Sequence, residues 1–274
     1  MAAPLLIHSM AEFACITLPA LELVQARNVC EIGAEHGGNS AVLAQWLENL
    51  DGRLTSIDPS PSPAFINWLA RHSRCIRHIC TPSIAAIPTV PAQDAWFVDG
   101  DHNWYTVYHE LKAIFERQRS AQQPLLVFLH DIDWPWSRRD LYYVPDRIPA
   151  EYRHAHTWNH GVTLGKPTPI QGGFRGCGAF ALAIHEGGPR NGVLTAIEDF
   201  VSEHPDEMHW AHIPGVFGLG VLFDRQHPAA SDLGLLLAPL HNHPLLKRLE
   251  TTRLANYLKV IEYQDAVTIS AAKG

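Results

Sequence analysis

The sequence predicts an α/β fold: a doubly wound, mostly parallel sheet completed by a terminal antiparallel strand pair. Three observations lead to it. Short apolar runs alternate with helical periodicity from Asn28 to Asp131, the rhythm of a parallel sheet with helices on both faces. The run Ala95-Trp96-Phe97-Val98 is hydrophobic throughout, as a strand covered on both faces must be. The first run leads into a glycine turn, Gly33-Ala34-Glu35-His36-Gly37-Gly38, and then into a helix. A turn of that kind lets a ligand approach the backbone and aims free amides at it.

Each element follows in order. Residues 1–27 read as a helical segment beside the first strand, Val29–Ile32. Val42, Leu43, Trp46, Leu47 and Leu50 recur at helical spacing until Asp51-Gly52 stops the run. Arg53–Asp58 is the second strand, followed by the proline-rich break Pro59–Pro63 and a helix marked by Phe65, Trp68 and Leu69. Cys75–Cys80 is the third strand, Ala95–Asp99 the fourth and Pro124–Leu129 the fifth, ending in His130-Asp131. Trp104, Tyr108, Leu111 and Phe115 space out the helix between the last two, with Asp101 read as its N-cap. Residues 132–178 break the rhythm. They are rich in Trp, Tyr, Pro, Arg and His, and read as a lid or substrate insert hinged near Gly172-Gly173. A helix over Asn191–His204 precedes a strand pair, Met208–His212 and Gly218–Asp224, turning through Pro214-Gly215. The stretch Pro244–Gln264 reads as a last amphipathic helix whose apolar set is Leu245, Leu249, Leu254, Leu258 and Ile261, a leucine stripe more often core cover than a dimer interface. The chain thus divides into 1–27, a central domain 28–224 and a helical extension 225–274.

Composition narrows the function classes. A net charge of -7 with no Lys/Arg run argues against nucleic acid as a partner. No stretch approaches the roughly 18 apolar residues of a membrane span, and Met1–His8 lacks the basic and apolar regions of a signal peptide. The five cysteines, Cys15, Cys30, Cys75, Cys80 and Cys177, form no CxxC pair and suit reduced thiols. The expectation is a cytoplasmic protein acting on a small molecule, with homo-oligomerisation left open.

Chemistry-bearing residues gather where a parallel sheet presents its ligands, at the carboxyl ends of the strands. Those ends carry Glu31 and the glycine turn, Asp58, Cys80–Ser83, Asp99–His102 and His130-Asp131. Asp58 is placed to accept hydrogen bonds from ribose hydroxyls, a feature shared by dinucleotide proteins and nucleoside methyl donors. The turn lacks the second glycine of GxGxxG, and Glu35 would set a carboxylate where a pyrophosphate should lie. Glu31 likewise suits a cationic ligand. Asp99, Asp101, His102, His130 and Asp131 form a second group whose donors suit a divalent cation.

Together, Glu31-Ile32-Gly33 through Gly38, Asp58, Val98-Asp99-Gly100-Asp101-His102 and Leu129-His130-Asp131 resemble class I S-adenosylmethionine-dependent methyltransferases. The group they resemble most is methyltransferase family 24, related to metal-dependent macrolide-sugar O-methyltransferases. The resemblance covers roughly Asn28–Asp131, and Glu35 departs from it by replacing a middle glycine. It implies a Rossmann-like fold and S-adenosyl-L-methionine as cofactor. Glu31, Gly33, Glu35, His36, Gly37, Asn39, Ser40, Asp58, Ser83 and Asp99 would line the cofactor. A divalent metal, magnesium being the expected ion, would sit on Asp99, His130 and Asp131. His102 would be the general base, with Asp99 also catalytic, for methylation of a small-molecule hydroxyl. The rival readings are an NAD-dependent oxidoreductase and a binder that kept the cofactor pocket without catalysis. Arg138, Arg139, His154, His156, Trp158 and His160 are the insert's polar candidates for substrate contact, each more readily explained as a packing or surface residue.

Overall fold

A computed structural model describes residues 7–72 and 74–271. Expectations for residues 1–6 lie outside the described residues.

A 3-10 turn at Met10–Phe13 leads into α1 (Ala14–Leu23). The alternation then runs β1 (Asn28–Ile32), α2 (Gly38–Glu48), β2 (Arg53–Ile57), α3 (Pro63–Leu69), β3 (Ile76–Ile79), α4 (Ser83–Ala86), β4 (Ala95–Val98), α5 (Trp104–Ser120) and β5 (Leu126–His130). Local chemistry fixes several of these boundaries. Ser62 caps α3 by accepting from the Phe65 amide, with Pro63 at the first helical position where its missing N–H costs nothing. Asn103, not Asp101, caps α5: its side chain accepts from the Thr106 amide at 2.9 Å. The expected cap is two residues early because Asp101 spends Oδ2 on the Thr106 hydroxyl instead.

The insert is ordered rather than irregular. It forms β6 (Leu141–Tyr142) and β7 (His156–Thr157), which flank β8 (Ala181–Ala183) in a small antiparallel sheet. Gly172-Gly173, expected as a hinge, is pinned by the bridge between Val162 and Phe174. A Cβ on Gly173 would lie 2.5 Å from the Val162 carbonyl. The chain continues through α6 (Val193–Glu203), β9 (Met208–Ile213), β10 (Leu219–Asp224), α7 (Ala230–Leu237) and α8 (Pro244–Ala271).

The seven-stranded sheet has the order β3-β2-β1-β4-β5-β10-β9. β1 to β5 are parallel, and only β10 runs against its neighbours, slotted between β5 and β9. The expected α/β fold with its antiparallel pair is the observed one. Strand order reverses between β1 and β4, and the crevice at that switch point is where such sheets take ligands. One apolar layer, with Trp96, Leu111, Ile114 and Phe200, covers one face of the sheet. The other, with Leu21, Leu43, Leu47 and Phe128, covers the opposite face.

The last helix departs from its expected amphipathicity. Of the leucine set only Leu254 is buried, at 2% exposure, while Leu245 and Leu249 are 58% and 57% exposed. The inward face instead includes Glu250, whose carboxylate accepts from the Phe217 amide and holds Arg253. Among the described residues no helix is long and apolar enough to cross a membrane.

Candidate active site

The glycine turn sits at the switch point because nothing larger fits. Gly33 has φ +88°, and a Cβ there would lie 2.1 Å from the Asp99 carbonyl oxygen. Gly37, at φ +81°, would meet the Phe65 ring at 2.7 Å. The turn's own amides are largely committed. Gly33 N–H donates to the Ile57 carbonyl at 2.9 Å, and Ala34 and Glu35 donate to Asp58 Oδ2 at 3.0 and 3.2 Å. Asp58 Oδ1 accepts from the Ser60 amide at 2.8 Å. Asp58 therefore ties the β1 and β2 loops together, whatever else it binds. Glu35 adopts φ +47°, and its exposed carboxylate lies 3.8 Å from His36.

Glu31 is 2% exposed and is tied to the opening of α2. Asn39 Nδ2 donates to it at 2.8 Å, and the Ser40 hydroxyl donates to its other oxygen. Burial raises its pKa to about 7, and the bonds from Ser40 and Asn39 offset only part of that. Three expected cofactor residues are thus brought into one hydrogen-bonded set. No side chain caps α2, so its first amides remain available to an anionic group such as a ligand carboxylate.

The second group assembles at the ends of β4 and β5. His102 Nε2 lies 2.8 Å from Asp131 Oδ2 and 3.5 Å from Asp99 Oδ1. His130 Nδ1 lies 3.1 Å from Asp99 Oδ1 and 3.3 Å from Asp131 Oδ2. Its Nε2 stands 2.8 Å from the Val216 carbonyl, which can only accept, so Nε2 carries the proton. Asp131 holds φ +57°, a conformation uncommon outside glycine. Burial on its own would lower the His102 pKa. The Asp131 and Asp99 carboxylates outweigh it and hold the value at about 10. His130 is raised for the same reason, against burial. Burial works against Asp99 and Asp131 as well, yet the two imidazoles hold both carboxylates below their usual range.

The donor set fits a cation. One ligand atom from each of Asp99, His102 and Asp131 lies within 4.8 Å of the others. Both His102 ring nitrogens are buried without a well-formed hydrogen bond, despite the close carboxylates. An imidazole beside two carboxylates whose hydrogen-bond geometry is unfulfilled suits a shared cation at the point where they converge.

Residues 30–132 match the family model Methyltransf_24, described as a methyltransferase domain. This stretch is similar to a methyltransferase domain. It holds the glycine turn and all the residues of both groups, whereas the insert lies beyond its end. No curated protein matches the chain. Among solved structures, the chain is similar to the O-methyltransferase TomG from Streptomyces achromogenes, involved in tomaymycin synthesis and in complex with SAM. That match has 16% identity and a TM-score of 0.46, and covers 79% of this chain and 80% of that one. An O-methyltransferase from Bacillus cereus in complex with SAH has 14% identity and a TM-score of 0.46, with 79% and 82% covered. The SAH-bound methyltransferase PaMTH1 from Podospora anserina has 13% identity and a TM-score of 0.45, with 78% of each chain covered. Likeness at that level carries no weight for the site.

Beyond the matched stretch, the insert's polar candidates do not converge on these groups. Arg138 pairs with Glu198, and Arg139 is buried against the Ala183 and Pro167 carbonyls. His154 faces the Arg190 carbonyl, His156 the His154 carbonyl and His160 the Thr157 hydroxyl. Trp158 is 37% exposed. These side chains build the insert's own structure. The insert does reach the site through Tyr143, whose ring stands edge-on to His102 at 6.2 Å and also touches Phe180, and through Leu141, whose amide donates to the His102 carbonyl at 3.0 Å. Nothing in the sequence singles Tyr143 out from the neighbouring aromatics. Ser83 opens α4, and its hydroxyl faces Glu110 of α5. Glu110 was not among the expected residues, because its helical position reads as an ordinary polar site.

Proposed function

We propose that the chain transfers a methyl group from S-adenosylmethionine to a hydroxyl of a small molecule, assisted by a divalent cation. The observation that carries this reading is the convergence of Asp99, His102 and Asp131 beside the glycine turn, inside the matched domain. The uncapped start of α2 would take the carboxylate of the cofactor's amino-acid tail, and Glu31 favours the cationic end of the ligand. Asp58 would accept from the ribose with lone pairs its loop amides leave free, and Ser83 would border the adenine. Gly33, Gly37 and the backbone of Glu35 and His36 would let the cofactor lie close to the chain.

Asp99 and Asp131, with His130 Nδ1, would hold the cation; when bound it neutralises the carboxylates and lowers the pKa of an acceptor hydroxyl. The high pKa of His102 depends on those same carboxylates, so their neutralisation leaves His102 able to accept a proton. The acceptor oxygen then forms its bond to the methyl carbon as the carbon–sulfur bond breaks. The electron pair leaves with sulfur in S-adenosylhomocysteine, and the hydroxyl proton passes to His102. The domain's part is alignment and proton transfer. A second reading has His102 as the nitrogen ligand, favoured by its 2.8 Å approach to Asp131. His102→Gln separates the two: lost turnover with metal affinity kept marks a base, and lost metal affinity marks a ligand.

The test is transfer of labelled methyl from S-adenosylmethionine to panels of phenols and sugar hydroxyls, with and without chelator. Transfer to a hydroxyl that chelation stops and magnesium restores is expected. Transfer indifferent to chelation defeats the cation's role, and transfer only to nitrogen acceptors defeats the hydroxyl.

A further inference from the structure

α8 leaves an apolar row facing outward along most of its length. Leu245, Leu249, Val260, Tyr263 and Val267 are 58%, 57%, 36%, 72% and 69% exposed. At about 100° per residue they fall within an arc of roughly 60°. Leu254 and Glu250, the two buried positions, lie on the opposite side. Thr252 and Asn256, exposed on the same face, divide the row into two apolar patches, and apolar patches left in water mark interaction surfaces.

We propose that this stripe is a self-association surface on which a second copy of the chain packs its own α8 antiparallel. The sequence is self-complementary in that direction. About a centre at Asn256, Leu245 meets Val267, Leu249 meets Tyr263, and Thr252 meets Val260. Each of these positions is exposed and lies on the same face. Reversing the helix returns the same pairs, as a two-fold interface requires. Asn256 then faces its own copy on the axis, and a polar residue at one such position fixes register. The charges agree with the direction. Lys247 and Arg248 lie in the first turns, Glu262 and Asp265 towards the other end. Antiparallel pairing brings Arg248 of one copy beside Glu262 of the second, where Lys259 already holds it at 2.6 Å. Antiparallel alignment also opposes the two helix dipoles. The side of α8 away from the stripe meets the insert, because Asp265 holds Arg175 and Tyr257 packs on Phe174.

Sedimentation of the full chain at micromolar concentration tests the state, and three substitutions test the surface and its register. The native chain should sediment as a dimer. Tyr263→Glu, at an exposed position that folding does not need, should weaken the dimer about tenfold or more. For register, Cys15, Cys80 and Cys177, the exposed thiols, are first changed to serine. Under mild oxidation Asn256→Cys should then form a disulfide between copies. Leu245→Cys should not, because antiparallel pairing holds the two copies of that position about 33 Å apart. A monomeric native chain, a dimer indifferent to Tyr263→Glu, or cross-linking through Leu245→Cys would overturn the proposal.

Discussion

Glu110→Gln should change how the stability of this fold depends on pH. Glu110 is fully buried on α5, and neither carboxylate oxygen has a well-formed hydrogen bond, although the Ser83 hydroxyl faces it. Burial raises its pKa from 4.5 to about 8; the Ser83 hydroxyl offsets part of the rise, and the Asp101 charge adds to it. A shift of that size means that ionising Glu110 inside the fold costs on the order of 5 kcal/mol. The unfolded chain loses this proton near its ordinary pKa while the native state keeps it. Stability therefore falls as pH rises between the two values, at about 1.4 kcal/mol per pH unit. Glutamine keeps the shape and cannot ionise, so it removes this slope. Glu31, raised to about 7 by burial, contributes a slope of the same sign and keeps it in the variant. The comparison is therefore the difference between the two chains. Urea unfolding from about pH 5 to pH 8 should show Glu110→Gln gaining on the native chain by about 1.4 kcal/mol per unit, roughly 3 kcal/mol in favour at pH 7. A difference curve flat across that range would refute the buried, proton-holding carboxylate.

Other expectations follow from the same geometry. Asp131→Ala should abolish metal-dependent turnover while leaving S-adenosylmethionine affinity within a few-fold, measured by calorimetry; a parallel loss of cofactor binding would tie Asp131 to the cofactor instead. Magnesium binding should release protons and tighten as pH rises, because both His102 and His130 hold protons against the carboxylates it would neutralise. Calorimetry in buffers of different ionisation enthalpy reads that release, and a buffer-independent heat contradicts it. Gly33→Ala should cost at least about 3 kcal/mol, since its Cβ would lie 2.1 Å from the Asp99 carbonyl at φ +88°; a melting temperature unchanged from the native chain would show the β1–β4 contact to be looser than it looks.

The sheet was legible because its strands carry their own evidence. Ala95–Val98 and Leu126–His130 are buried along their whole length, and apolar runs of that kind admit little else. The acids and histidines at the strand ends were legible for the opposite reason, since a core needs none of them there. What was not legible depends on contacts between distant residues. Asp101 and Asn103 are both capable caps, and only the path of the backbone gives the Thr106 amide to Asn103. Asp58 looks free in sequence, yet the amides of Ala34 and Glu35 reach it across the switch point. The insert's arginines read more readily as packing or surface residues than as substrate contacts, but their partners, Glu198 and the Ala183 carbonyl, could not be read from the sequence. In α8 leucines were read as inward, but burying Glu250 against the Phe217 amide turns Leu245 and Leu249 to the outside. Tyr143 meets His102 only because the small antiparallel sheet holds the insert over the site.

The most direct test of the central claim is separate calorimetric titration of the native chain with S-adenosylmethionine and with NAD. One saturable site for S-adenosylmethionine, weakened at least about tenfold by Asp58→Ala and with no heat from NAD, is the predicted result. Preferred binding of NAD, or no binding of S-adenosylmethionine by a folded chain, would contradict the assignment of the glycine turn.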